Sequence, residues 1–164
     1  MCFTETYLVP AANIDFFLKK HDYKAFRDDV PCMNEHNGKH GVMICAKESL
    51  NPIELNLATV DGLETKTIII ESENSRMIIC ALYNPPTQPE REFAELFEQI
   101  LILLPTTIPT VVCGDFNVNA DTENECLIQK LMKRYGFKQL VQHSTTDNGT
   151  LIDHMYYNKS DRAT

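Results

Sequence analysis

The segment from residue 90 to residue 104 constrains the fold more than any other part of the sequence. Its apolar residues recur with helical spacing and form one continuous stripe, made of Phe93, Leu96, Phe97, Ile100, Leu101 and Leu104. Acidic residues occupy its first turn, where the helix dipole favours them, and Pro105 ends it. A short β-branched run, Val111-Val112-Cys113, follows. This order predicts a helix that packs on a sheet, and therefore an α/β layered fold.

Other runs extend the same alternation of strands and helices. The apolar residues 41–46 are typical of a buried strand, and residues 65–70 and 77–83 predict a hairpin around the polar turn 71–75. Asp121 or Thr122 is expected to cap a second helix over 122–135, which Gly136 closes. Two final strands are expected over residues 137–142 and 151–157.

Length and charge limit the function classes. The 164 residues suit one domain, and 43% hydrophobic with 23% charged residues is a globular composition. A net charge of −8 argues against a protein that holds nucleic acid through bulk positive charge, although a nuclease with an acidic metal site remains compatible. The C-terminal quarter is basic. Its positive charges either contact an anionic substrate or belong to a solvated helix face.

Neither a membrane segment nor a disulfide framework is expected. No apolar run reaches the roughly 18–20 residues that span a bilayer, and the N-terminus lacks a secretory pattern. Cys45, Cys80 and Cys113 lie within apolar strand-like runs, where free cysteine behaves as a small buried hydrophobe. No cysteine or histidine spacing fits zinc, so the sequence favours a reducing, intracellular compartment.

Asp115 and Asn117 are the first candidates for chemistry. They follow Gly114 at the end of a strand, and in extended chain residues two apart project to the same side, so Phe116 would point into the core. A carboxylate can deprotonate a water, and a neighbouring amide can hydrogen-bond a phosphoryl oxygen without adding negative charge. The alternative is an ordinary polar turn, because Gly, Asp and Asn are common turn residues.

Three further residues are weaker candidates. Asp153 interrupts an apolar and aromatic run and either orients a histidine or faces water; the adjacent His154 would face the opposite side of the strand. Glu5 is either an exposed terminal residue or part of a site. Tyr83, before Asn84 and two prolines, either presents its hydroxyl to an anion or simply ends a strand.

The order of these motifs resembles the endonuclease/exonuclease/phosphatase superfamily over essentially the whole chain. That group includes abasic-site endonucleases, pancreatic-type deoxyribonucleases, neutral sphingomyelinases and inositol polyphosphate phosphatases. Gly-Asp-Phe-Asn at 114–117 is the most specific motif, together with the later Ile-Asp-His at 152–154. The stretches CFTETYL, ALYNPP, VVCGDFN and TLIDHMYYN are most similar to endonuclease domains of mobile elements, namely non-LTR retrotransposons and rolling-circle transposons.

The resemblance implies a role for each candidate residue. Glu5 matches the glutamate that binds catalytic Mg²⁺, for which Mn²⁺ is the alternative ion, and Tyr83 matches a tyrosine that contacts the phosphate. Asp115 matches the aspartate that positions or activates water, and Asn117 the asparagine that holds the scissile phosphate. Asp153 matches the aspartate that orients the catalytic histidine. Together these would form a metal-dependent hydrolase, since Mg²⁺ prefers oxygen ligands.

The resemblance also implies a four-layered α/β sandwich, two packed mixed β-sheets flanked by helices, with its first and last strands missing. Only four residues precede Glu5, so the family's first strand and its asparagine are expected to be absent. Ser160-Asp161 lacks the histidine of the family's terminal Ser-Asp-His motif. His21, His36, His40 and His143 match no catalytic position and are expected on the surface or in loops. We therefore expect residues 1–164 to form a single, incomplete domain with poor activity alone.

The sequence thus predicts a Mg²⁺-dependent phosphodiester hydrolase, with a mobile-element DNA endonuclease favoured. DNA is the expected substrate, in the nucleus, and the complete polypeptide is expected to carry a helicase or reverse transcriptase. A phosphatase or phosphodiesterase that acts on inositol phosphates or phospholipids is one alternative, because specificity lies in loops. A catalytically impaired remnant is the other.

Overall fold

Strand pairing divides the chain between two sheets in the computed structural model, which describes residues 1–30, 39–73, 75–120 and 125–158. The smaller sheet is antiparallel, with the strand order β1-β3-β2. Its strands are β1 (Cys2–Phe3), β2 (Tyr23–Val30) and β3 (Lys39–Lys47), and helix α1 (Asp15–Lys19) precedes β2. A 3₁₀ turn over Glu48–Leu50 follows β3.

The larger sheet is mixed, with the order β4-β5-β6-β7-β9-β8. Its strands are β4 (Ile53–Glu54), β5 (Glu64–Ser72), β6 (Ser75–Tyr83), β7 (Thr110–Asp115), β8 (Lys138–Gln139) and β9 (Asp153–Asn158). Only β6 and β7 pair in parallel, and helix α2 (Glu90–Leu103) connects them. A crossover helix of this kind is what a parallel pair requires, because no tight turn can reverse the chain twice.

The large sheet carries a hydrophobic core on each face. Alternate residues of β6 point to opposite sides, so Cys80 and Leu82 pack under the helices while Ala81 and Tyr83 face the small sheet. The helix side is covered by α2 and by α3 (Leu127–Arg134), through buried residues that include Phe93, Phe97, Ile100, Ile128 and Met132. The small sheet contributes Phe26, Val42, Ile44 and Ala46 to the other core. This confirms the predicted sandwich of two sheets with flanking helices.

Some predicted boundaries were wrong. The helix expected over residues 122–135 begins at Leu127, and the Cys126 sulfur, rather than Asp121 or Thr122, accepts the N-cap hydrogen bond from the Gln129 N–H. The strand expected over 137–142 is only the two-residue β8. The last strand begins at Asp153, two residues after its predicted start. Residues 121–124 and Ser160-Asp161 lie outside the described residues.

The cysteine and membrane predictions can be compared with the described part of the chain. Cys45, Cys80 and Cys113 are buried, and these three together with Cys2 and Cys126 are free thiols. Cys32 lies outside the described residues. Within the same ranges, no helix has the length and apolar character that a membrane crossing needs.

Candidate active site

Three of the predicted site residues lie side by side at one edge of the large sheet. Tyr83 ends β6 directly opposite Asp115, which ends β7, and Asp115 in turn lies opposite Asp153 at the start of β9. The carboxyl ends of the parallel pair therefore meet the amino end of the antiparallel strand. This is the edge of an α/β sheet at which ligands usually bind.

Gly114 makes this alignment sterically feasible. It lies opposite Leu82 with a φ of 151°, and a Cβ on it would be 2.9 Å from the Leu82 carbonyl carbon and closer still to the carbonyl oxygen. Any side chain here would force β7 away from β6. The glycine of the Gly-Asp-Phe-Asn motif therefore sets the separation between Tyr83 and Asp115.

The chain turns directly after Asp115 rather than continuing as extended strand. The Asn117 backbone N–H donates to Asp115 Oδ1 at 2.9 Å, and Asn117 has a left-handed φ of 47°. The prediction of an extended Asp115–Asn117 segment was wrong in this respect, because the Asp side chain caps its own turn. Asn117 nonetheless stays hydrogen-bonded to the Asp115 side chain, and Phe116 is fully buried, as predicted.

Asn84 is a residue that the sequence analysis did not assign to the site. It is buried, its Nδ2 donates to the Phe116 carbonyl at 2.7 Å, and its N–H donates to the Asp115 carbonyl at 2.9 Å. Asn117 Nδ2 donates back to the Asn84 carbonyl at 2.8 Å. Asn84 thus joins the ends of β6 and β7, and its position before two prolines was the available signal.

Glu5 reaches this sheet edge from the small sheet. Its Oε1 accepts hydrogen bonds from the Tyr83 hydroxyl at 2.8 Å and from the Tyr7 hydroxyl at 3.3 Å. Both Glu5 and Tyr7 have left-handed φ values of 50°, so the chain after β1 is sharply bent. The structure therefore brings Glu5 to Tyr83 although 78 positions separate them in the sequence.

A second group holds the bent Glu5 segment in place. The N–H groups of Thr6 and Tyr7 donate to the carbonyls of Gly41 and His40, at 3.2 and 2.7 Å. Glu64 fixes those two residues in turn, because Oε2 accepts the Gly41 N–H and Oε1 accepts His40 Nδ1–H, both at 3.0 Å.

His40 was expected on the surface or in a loop, and the structure shows it in a strand, partly exposed and against a site residue. It lies in β3, its ring centroid is 5.1 Å from that of Tyr83, and its side chain is 31% exposed. Glu64 pairs directly with Tyr83 in the sheet, so it supports the site from the adjacent strand. The sequence signal for Glu64 was weak, since it is one acidic residue before a β-branched run.

The site is electrostatically strained. Burial raises the pKa of Asp115 to about 6; the hydrogen bond from the Asn117 N–H lowers it, and the negative charges of Asp153 and Glu5 raise it further. The pKa of Tyr83 is also raised well above its usual value, first by burial and then by its hydrogen bond to Glu5. The carboxylates of Glu5 and Asp153 are thus both within electrostatic reach of Asp115.

Asp153 and His154 face opposite sides of β9, as the sequence predicted. Asp153 is exposed, whereas His154 is buried, stacks on Phe116 at 4.4 Å and donates from Nε2 to the Val118 carbonyl at 2.8 Å. Burial lowers the pKa of His154. His154 thus supports the loop that carries Asp115 and Asn117. Across the described ranges, no histidine donates to Asp153.

The donor chemistry at this edge fits a hard divalent cation. In the described parts of the chain, no cluster of three or more His, Cys, Asp or Glu side chains forms a ready metal cage. Mg²⁺ does not require one, because it is usually bound by one or two carboxylates together with waters and substrate phosphate. Glu5 is exposed, and its carboxylate, which accepts the Tyr83 hydroxyl, is an accessible oxygen ligand at this edge.

Comparisons with known proteins identify the family of the chain. The sequence model of the Endonuclease/Exonuclease/phosphatase family matches residues 1–163. None of the curated proteins compared with the chain matches it.

Solved structures share the fold at low sequence identity. The endonuclease domain of TRAS1, a telomere-specific non-LTR retrotransposon, is 12% identical with a TM-score of 0.63, and the match covers 82% of this chain and 64% of that domain. The human Nocturnin catalytic domain is 14% identical with a TM-score of 0.64, over 96% of this chain and 68% of that one. A 3′–5′ exonuclease from Neisseria meningitidis is 16% identical with a TM-score of 0.62, over 96% and 75%.

The chain spans about two thirds to three quarters of the length of these structures. At such identities they support the fold and not a particular substrate. Since the family model covers nearly every residue, the chain belongs to the Endonuclease/Exonuclease/phosphatase family, whose members are hydrolases.

Proposed function

We propose that this chain is a Mg²⁺-dependent phosphodiester hydrolase domain. Its proposed substrate is DNA, and we propose that it is an endonuclease domain of mobile-element origin. The observation that carries the proposal is the meeting of Glu5, Tyr83, Asp115 and Asn117 at one sheet edge. Similarity in fold to a retrotransposon endonuclease domain supports the choice of DNA, and the nucleus is then the expected location.

Asp115 is proposed to accept the proton of the attacking water. Its raised pKa of about 6 leaves it ionised at neutral pH yet basic enough to take a proton, which is where a general base works best. The hydrogen bond from the Asn117 N–H fixes the carboxylate, so that one oxygen is held and the other remains for water. The water oxygen bonds to phosphorus, and the ester oxygen leaves without a covalent enzyme intermediate.

Asn117 is proposed to hold the scissile phosphate. An amide has two N–H donors, and one of them is used on the Asn84 carbonyl. The second donor remains for a phosphoryl oxygen, and it adds no negative charge near Asp115.

Tyr83 and Glu5 are proposed to act as a pair. The Tyr83 hydroxyl holds the Glu5 carboxylate, which would be the protein ligand of Mg²⁺. A bound divalent cation supplies neutralisation of the charge that develops on the phosphoryl group.

A supercoiled plasmid tests the proposal directly. The full chain is incubated with Mg²⁺ or with EDTA, and wild type is compared with Asp115→Asn and with the exposed control Asp147→Asn. We expect Mg²⁺-dependent nicking that Asp115→Asn abolishes and Asp147→Asn retains. Nicking unchanged by Asp115→Asn would remove the proposal.

Two other outcomes favour other functions. Phosphate release from a soluble inositol phosphate, or headgroup release from a phospholipid, with the plasmid intact would indicate the phosphatase or phosphodiesterase alternative. A folded chain that turns over none of these substrates would indicate a catalytically impaired remnant. The latter is favoured by one observation, since Asp153 receives no histidine from the described parts of the chain.

A further inference from the structure

Two thiols meet where the small sheet touches the large one. Cys2 lies on β1, an edge strand of the small sheet, and Cys113 lies on β7 in the large sheet. The two strands are in contact, and each of the two thiols shifts the pKa of the other. Both side chains line one open cavity, beside Ile79 and Met155.

The two sulfurs differ in the way that directed oxidation requires. Cys2 is exposed, and its interaction with the Cys113 thiol lowers the pKa of its own thiol, which favours the reactive thiolate. Cys113 is buried beside it, and its interaction with Cys2 together with burial raises the pKa of its thiol. Cys80 is fully buried with its pKa raised to about 11 by desolvation, so it stays protonated and inaccessible.

We infer that Cys2 and Cys113 form an oxidisable dithiol, which closes to a disulfide when a hydroperoxide enters the cavity. The Cys2 sulfur attacks the O–O bond and takes its terminal oxygen as a sulfenic acid, while the alkoxide portion leaves as the alcohol. The Cys113 sulfur then attacks the Cys2 sulfur, and the hydroxyl leaves as water with the Cys113 proton. Two thiols and one hydroperoxide thus give one disulfide, one alcohol and one water.

The bridge would link the two sheets covalently beside the candidate active site. Cys2 is followed within three residues by Glu5, and Cys113 within two by Asp115. It would also close a loop of more than a hundred residues, which strongly restricts the unfolded chain. The dithiol rests on the placement of β1 against β7 and is independent of the proposed hydrolase activity.

The test uses tert-butyl hydroperoxide on the full chain, with intact mass, non-reducing peptide mapping and thermal unfolding. We expect a loss of about 2 Da and a Cys2–Cys113 linked peptide. We also expect a rise in the melting temperature of roughly 10 °C, reversed by dithiothreitol.

Three variants separate this bridge from other oxidation. Cys2→Ser and Cys2→Ala remove only an exposed thiol. After oxidation, neither variant should show the disulfide-linked peptide or a raised melting temperature. Cys126→Ser is the matched control, because serine also caps helices and should preserve α3. It should behave as wild type. Free thiols at both positions after treatment, a bridge to another cysteine, irreversible oxidation of Cys2 or an unchanged melting temperature would overturn the inference.

Discussion

Asp115 should destabilise the folded protein at neutral pH, and Asp115→Asn should therefore stabilise it. Asn keeps the Oδ1 acceptor that the Asn117 N–H uses, while it removes the charge that burial and the neighbouring carboxylates disfavour. The folded pKa of about 6 lies above the unfolded value of about 3.9. The contribution of Asp115 to stability is thus fully present only below the unfolded pKa and is lost as pH rises through 6.

The size of the effect follows from that difference in pKa. A rise from 3.8 to about 6 corresponds to about 3 kcal/mol at 1.36 kcal/mol per unit. Asp115 is only partly buried, and solvent and salt screen its interactions, so we reduce the expected gain to about 1–2 kcal/mol. For a chain of this length, that is a rise of roughly 2–8 °C in melting temperature.

Urea unfolding at pH 8 and at pH 4 measures the gain, with Asp147→Asn as the exposed control. Asp115→Asn should be more stable than wild type at pH 8 and about equal to it at pH 4. Asp147→Asn should match wild type at both values. The reasoning would be refuted if Asp115→Asn were no more stable than wild type at pH 8, or if its gain in unfolding free energy were as large at pH 4.

Three further perturbations test other parts of the fold. Gly114→Ala should cost roughly 3 kcal/mol or more in urea unfolding, because the new Cβ meets the backbone of β6. Glu64→Ala should speed amide exchange at Thr6 and Tyr7 about tenfold, since the carbonyls that hold those amides lose their support. NMR titration should find the pKa of the His154 ring below its unfolded value of about 6.5. Because the unfolded state then binds more protons, the contribution of His154 to stability should fall as pH drops below 6.5. The fall should be at most about 1.4 kcal/mol per pH unit.

Each of these has its own control or contrary outcome. Gly149→Ala meets no atom within 4 Å and should cost only the strain of a left-handed residue, about 1–2 kcal/mol; equal losses for both glycines would contradict the steric account. Glu54→Ala removes an exposed ion pair with Lys66 and should leave the Thr6 amide protected from exchange. If Glu64→Ala also leaves the Thr6 amide protected, the proposed role of Glu64 is wrong. A His154 ring that titrates at or above 6.5 would mean that it is not buried as described.

The parts of the fold that sequence could predict are those with strong local periodicity. The stripe of α2 determined the helix to within one residue, and the β-branched runs of β5, β6 and β7 located the centre of the large sheet. In contrast, β2, β4 and α1 were not predicted. They have no clean period, and their pairing with distant strands decides their conformation.

The site residues followed the same division. Asp115 and Asn117 could be found because strand, glycine and polar pair are contiguous. Glu5 and Asp153 were only weak candidates from the residues alone, since their neighbours come from remote segments, and the resemblance supplied their roles. Glu64 and Asn84 escaped detection because their side chains bond to backbone groups of distant residues, and His40 because its ring meets side chains of other strands. No residue pattern records such partners.

The approach of Glu5 to Asp115 is the central claim, and an NMR titration of the Asp115 carboxyl carbon tests it most directly. In wild type the pKa should be about 6, and Glu5→Gln should lower it, because the variant removes a negative charge that raises it. The exposed α2 control Glu95→Gln should leave it unchanged. An Asp115 carboxyl whose titration is the same in wild type and in Glu5→Gln would show that Glu5 does not reach the site, and would contradict the account.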